Sequence, residues 1–229
     1  MSEILITLGI IGVVAAITIP GLMTAYRRIA YPIQLKAIYS KLLVAQKTLN
    51  DEYGNPEDWT FTNYVTDSDD RYNLEIFKRY ATELSAISTR DRGNYDYFEN
   101  GLSPSAILLN GQPAKNISGW ASGAYLFEGH HCRSMQLKNG AVIVMYFAQG
   151  TAGAVMWPLI KKKMYAAFLI DINGAAKPNI VGRDIFAFGL KGGSTSIVPY
   201  MDDTSDCNKQ GAGLSCSRKI IQDEWKMNY

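Results

Sequence analysis

Ser2 to Pro20 reads SEILITLGIIGVVAAITIP, and the fold turns on that stretch. Between Ile4 and Ile19 no side chain is charged, and only Thr7 and Thr18 are polar. Carried on through Met23, the run spans about 20 residues, roughly 30 Å of helix, which matches the hydrocarbon thickness of a bilayer. The rest of the chain has no such run. Over all 229 residues, 47% are hydrophobic and 19% charged, which excludes a disordered chain. Lys and Arg number 23 against 21 Asp and Glu, too even a balance for the basic footprint of a nucleic-acid binder.

Working outward, the helical pattern continues past Pro20. Tyr31, Leu35, Ile38, Leu42, Ala45 and Leu49 recur at intervals of three and four, an apolar stripe on one helix face. Pro20 and Pro32 are expected to kink this rod. Gly54-Asn55-Pro56 is expected to stop it after about fifty residues, roughly 75 Å. The organisation expected is a membrane or filament-core helix over 1–23, an amphipathic continuation over 24–54 and a globular domain over 55–229.

Within that domain, Glu57 to Arg71 reads as a loop with an acidic cluster at Asp67, Asp69 and Asp70. Leu74, Phe77, Ala81, Leu84 and Ile87 predict a short helix ending near Thr89. Residues 90–123 carry many Gly, Asn and Ser and give no clear pattern. Strands are expected at Ala124–Phe127, Arg133–Leu137, Ala141–Phe147, Tyr165–Ile170 and Asp184–Leu190. Asn139-Gly140 signals a hairpin between the second and third of these. The fold class expected is α+β: a long N-terminal helix packed on an antiparallel sheet.

The N-terminal run does not suit a secretory signal peptide. Its flanking charge is Glu3, the wrong sign, and no small-x-small cleavage pattern follows. A plain anchor leaves the carboxylate at Glu3 unexplained, because a charge at the mouth of a hydrocarbon segment is costly unless paired. The order of residues, a Glu, an apolar run holding Gly9 and Gly12, the pair Ala15-Ala16 and a closing Pro20, resembles the N-terminal segment of the type IV filament superfamily, which comprises type IV pilins and the pseudopilins of type II secretion.

The resemblance implies a subunit without enzymatic activity that polymerises through this helix. Glu3 would meet the N-terminal amine of a neighbouring subunit and set axial register. Gly12 and Pro20 would bound a stretch that loosens as the subunit leaves the membrane. It further implies homologous subunits, an inner-membrane assembly platform and the lipid bilayer as partners. The protein would be single-pass in a bacterial inner membrane with an extracytoplasmic domain, and later part of a pilus or periplasmic pseudopilus. Family precursors begin with a basic leader ending in Gly, then usually Phe, with the Glu at the fifth mature position. Here Glu3 is the third residue, so a longer precursor, processed and methylated by a prepilin peptidase, is expected upstream. A lost basic leader also accounts for the charges. Arg27 and Arg28 follow the run and no base precedes it, which alone would orient the body towards the cytoplasm. The competing class is an exported enzyme or ligand-binding domain that uses the helix only as a tether.

Asp171-Ile172-Asn173-Gly174, with Asp184 beyond, offers oxygens of the kind Ca²⁺ takes. The same residues also make turns by capping their own backbone. The spacing is not that of an EF-hand. The run Asp171 to Phe188 also looks like the strand–loop–strand of many pilin-like proteins. Family practice of stapling the C-terminal region favours a Cys207–Cys216 disulfide with Cys132 free; Cys132 bridged to either is the alternative. His130-His131-Cys132 cannot readily face one tetrahedral ion, so no metal is assigned there. Asn116-Ile117-Ser118 matches a glycosylation tripeptide that a bacterial filament protein would not ordinarily read. No nucleophile elbow and no phosphate-cradling Gly-rich loop occurs. The segment from Arg218 to Tyr229 is expected to pack on the body as either helix or strand.

Overall fold

The computed structural model describes residues 2–61, 71–90, 106–114, 132–147, 150–151, 156–157, 162–174 and 176–229. The chain is α+β. A 52-residue helix, α1 (Ser2–Tyr53), runs unbroken through Pro20 and Pro32. Gly54, at φ +79°, ends it, and the Trp59 indole N–H donates to the Gly54 carbonyl at 3.1 Å. After a 3-10 turn (Pro56–Asp58) come β1 (Thr60–Phe61), α2 (Arg71–Glu83) and β2 (Ala86–Arg90). The remaining strands are β3 (Cys132–Leu137), β4 (Val142–Phe147), β5 (Gly150–Thr151), β6 (Met156–Trp157), β7 (Lys162–Asp171), β8 (Ile185–Lys191) and β9 (Ile197–Pro199). A last helix, α3 (Cys216–Gln222), follows.

The main sheet is an antiparallel meander in the order β2-β3-β4-β7-β8-β9, with β6 paired to the start of β7. β1 and β5 form a separate antiparallel pair. Asn139 and Gly140 make the expected β3–β4 turn, with Gly140 at φ +86°.

Leu35, Ile38, Leu42, Ala45 and Leu49 of α1 are all buried against one sheet face. They meet Ile143, Met145, Phe168, Ile170, Phe186 and Phe188, with α2 alongside supplying Ile76, Phe77 and Tyr80. The one buried polar group on this stripe, Gln46, is satisfied. It accepts from the Tyr80 hydroxyl and donates to Asn50 Oδ1 at 2.7 Å. The opposite face is also covered. Val142, Val144, Leu169, Ile185 and Ala187 pack under Leu108, Ala114, Tyr200 and Leu214. Continuous apolar strands such as VIVMYF and IFAFGLK are what burial on both faces requires.

Several expectations change. α2 stops at Glu83, not near Thr89, because Ser85 adopts φ +53° and Ala86–Arg90 pairs instead with the free edge of β3. Ile87 therefore lies 58% exposed on an edge strand rather than in the helix stripe. The C-terminal segment is helical through Gln222. The expected strand at Ala124–Phe127, the cluster Asp67, Asp69 and Asp70, the tripeptide at Asn116, and His130-His131 lie outside the described residues, as does the side chain of Cys132.

Candidate functional site

Glu3, Gly12 and Pro20 lie along the part of α1 that leaves the body. From Ile4 to Met23 every large apolar side chain is exposed, Ile17 by 74%. No part of this apolar window is buried, and the helix is long and apolar enough to cross a membrane. The distance from Glu3 to Pro20 is about 25 Å of helix at about 1.5 Å per residue. Gly9 and Gly12 have nothing within 4 Å of where a Cβ would sit, so the rod presents flat, small-residue positions to whatever covers it. Thr18 and Thr24 return their hydroxyls to the Val14 and Pro20 carbonyls, each at 2.9 Å, so neither leaves a bare polar group on the rod.

Asp171 and Asp184 meet where the β7–β8 ladder ends. Asp171 pairs with Ile185, and the Ile172 N–H donates to the Asp184 carbonyl at 2.9 Å. Asp171 is 4% exposed and Asp184 0%. Asp171 Oδ1 accepts the N–H groups of Asn173 at 3.1 Å and Gly174 at 2.8 Å, an Asx turn. Asp184 Oδ1 accepts the Ile180 N–H. The Asn173 amide donates to the carbonyls of Ala176 at 2.6 Å and Pro178 at 3.1 Å. Each group is thus half used. Asp171 Oδ2, Asp184 Oδ2 and Asn173 Oδ1 are buried with no hydrogen-bond partner.

Burial, and then the neighbouring Asp184 charge, pushes the Asp171 carboxyl up to about 8 against the pull of the Gly174 and Asn173 N–H groups. Burial likewise pushes Asp184 up to about 7, opposed by its backbone donors, the Asn173 side chain and the Arg27 charge. At neutral pH such a pair keeps protons that an exposed pair would release, or needs a cation in their place. The donor chemistry is that of a hard cation, but three free oxygens are fewer than the six to eight Ca²⁺ takes. Among the described residues no group of three or more His, Cys, Asp or Glu forms a metal cluster.

α1 closes over this turn. Arg27 Nη2 donates to the Lys177 carbonyl at 3.2 Å, and Arg28 donates through Nε and Nη2 to the Met227 carbonyl at 3.3 and 3.0 Å. Between them lies a cavity of about 290 Å³ lined by Arg27, Arg28, Tyr31, Arg183, Met227 and Tyr229, among others. Sequence reading missed this joint. Its one signal was Arg27-Arg28 standing directly after the apolar run.

Cys207 and Cys216 form the disulfide, with Cα atoms 4.9 Å apart. Its loop is built on Asp206, whose carboxylate accepts the Leu214 and Ser215 N–H groups at 3.1 and 2.7 Å. The loop seats on the β7–β8 connection, where Gly213 at φ +90° has Val181 O only 2.5 Å from its absent Cβ.

Compared with family models, with curated proteins and with solved structures, the chain matches none.

Proposed function

We propose that the chain is a structural, non-catalytic subunit of a type IV pilus or a type II secretion pseudopilus, held in an inner membrane by α1 and assembled through it into a filament. The observation that carries this reading is the division of one unbroken helix. Leu35 to Leu49 are sunk in the body, while Ile4 to Met23 stand wholly outside it. Twelve large apolar side chains are exposed in that outer half. Burying each is worth about 1.5–3 kcal/mol, so water is the one environment the segment does not suit. Lipid covers it before assembly and the helices of neighbouring subunits cover it afterwards. The order Glu3, Gly9, Gly12, Ala15-Ala16, Pro20, which resembles that of the type IV filament superfamily, supports assembly over simple anchoring. Its partners on this reading are homologous subunits, an assembly platform and, for the precursor, a prepilin peptidase.

A tether would tolerate Glu3→Ala. A filament subunit should keep its membrane pool yet disappear from the sheared filament fraction on immunoblot. Unchanged incorporation would refute the filament role and leave the anchored enzyme or binding domain. Asp171, Asn173 and Asp184 serve on this reading as turn formers, and Ca²⁺ at their free buried oxygens is the alternative.

A further inference from the structure

We propose that the cavity between α1 and the β7–β8 turn binds the phosphate of an anionic lipid headgroup, seating the body against the membrane surface. The proposal rests on the membrane-held state proposed above. It is carried by what converges on one cavity: Arg27 and Arg28 from α1, and Arg183 from the turn before β8. Arg27 and Arg28 use part of their donor capacity on the carbonyls of Lys177 and Met227, which fixes their heads. Among the described residues, none of the three arginines has a carboxylate within salt-bridge distance. Of the acids nearby, Asp184 is fully buried and Asp223 is paired with Lys219 at 2.8 Å. Arg27 interacts with the buried Asp184, while Arg28 and Arg183 pair with no described carboxylate, so about 290 Å³ of headgroup size is lined by more positive than negative charge, and guanidinium suits phosphate oxygens bidentately.

Position selects the source of that phosphate. Thr24, also on the cavity wall, directly follows Met23, where the apolar run ends. The arginines thus lie about one turn, roughly 6 Å, beyond the hydrocarbon boundary, at headgroup depth. Tyr26 at 60% and Ile29 at 68% exposure carry the apolar surface of α1 on past Met23, on the helix face turned away from the cavity. Tyr at that depth is itself an interfacial residue.

The test uses the full chain in neutral detergent micelles, titrated with dihexanoyl phosphatidylglycerol, dihexanoyl phosphatidylcholine or inorganic phosphate, with bound lipid counted by native mass spectrometry. Phosphatidylglycerol should bind in preference to phosphatidylcholine. Arg183→Gln, whose side chain makes no hydrogen bond among the described residues, should weaken it about fivefold, and Arg27→Gln/Arg183→Gln about 25-fold. Lys47→Gln/Lys209→Gln, which removes two exposed cations outside the cavity, should change nothing. Equal binding of both lipids, equal loss in the Lys47/Lys209 control, or free phosphate competing as well as the lipid would each overturn the proposal. Flotation with phosphatidylcholine vesicles separates the two readings. A chain that fails to float defeats the membrane-held state. A chain that floats but shows no phosphatidylglycerol preference defeats only the headgroup site.

Discussion

Replacing Asp171 by Asn isolates the cost of the buried acidic pair. Unfolded, an Asp titrates near 3.9, whereas folded Asp171 and Asp184 are pushed up to about 8 and about 7. Between those values the folded chain binds more protons than the unfolded chain, so stability falls as pH rises. The contribution is complete below about pH 4 and lost above about pH 8. For Asp171 the rise from 3.8 to about 8, at about 1.36 kcal/mol per pH unit, sets a ceiling of roughly 6 kcal/mol. Water entry and relaxation around the ionised pair should leave about 2–3 kcal/mol.

Asn keeps the Oδ1 acceptor for the Asn173 and Gly174 N–H groups but cannot ionise. In detergent micelles, followed by tryptophan fluorescence, Asp171→Asn should melt within about 2 °C of the parent at pH 5. At pH 8.5 it should melt about 5–10 °C higher, given about 2–4 °C per kcal/mol for a chain of this size. If Ca²⁺ enters the turn, millimolar Ca²⁺ at pH 8.5 should raise the parent's melting point and not the variant's, and a chelator should reverse the gain. A gap between variant and parent that is the same at both pH values would refute the buried-pair reasoning.

Leu42→Ala should cost about 2–5 kcal/mol by urea unfolding, since Leu42 is 0% exposed where α1 meets the sheet, whereas Val44→Ala, at 65% exposure, should cost under about 1 kcal/mol. Cys207→Ser/Cys216→Ser opens a link with a sequence separation of 9 and should lower stability by about 2–3 kcal/mol, an effect that reductant should reproduce in the parent. Gly213→Ala and Gly140→Ala both place a side chain at positive φ, but only Gly213 faces a backbone oxygen at 2.5 Å while Gly140 faces open space. Gly213→Ala should therefore be the more damaging by thermal melting, and equal melting points would argue against close seating of the disulfide loop.

How far the fold was legible follows the range of the interactions. The stripe from Leu35 to Leu49 and the turn at Asn139-Gly140 are set by neighbours within a few residues, and both stand where expected. Ile87 fits a helical period as well as a strand. What decides it is Ser85 in the left-handed region and an unoccupied edge on β3, whose partner residues lie nearly fifty positions away. Of the segments covering the second sheet face, 106–114 opens on four apolar residues, Ala106 to Leu109, too short a run to show a period, and 200–214 is mostly polar. The first is tied down by the bridge from Ile107 to Ile180 and the second by hydrogen bonds such as Leu109 N–H to the Ala212 carbonyl and Tyr200 N–H to the Ala187 carbonyl, which no local pattern encodes.

For the candidate site the division is the same. Sequence by itself determined the exposed half of α1, because a charge-free run of about 20 residues has few places to go whatever the rest of the chain does. It also marked Asp171, Asn173 and Asp184 as turn formers, since that chemistry acts on their own backbone. Only the tertiary structure decided that Asp171 and Asp184 lose their water together under Arg27, and that Arg183 joins Arg27 and Arg28 around one cavity. Burial and charge convergence depend on through-space distance, and residues more than 150 positions apart become neighbours only once the helix lies down on the sheet.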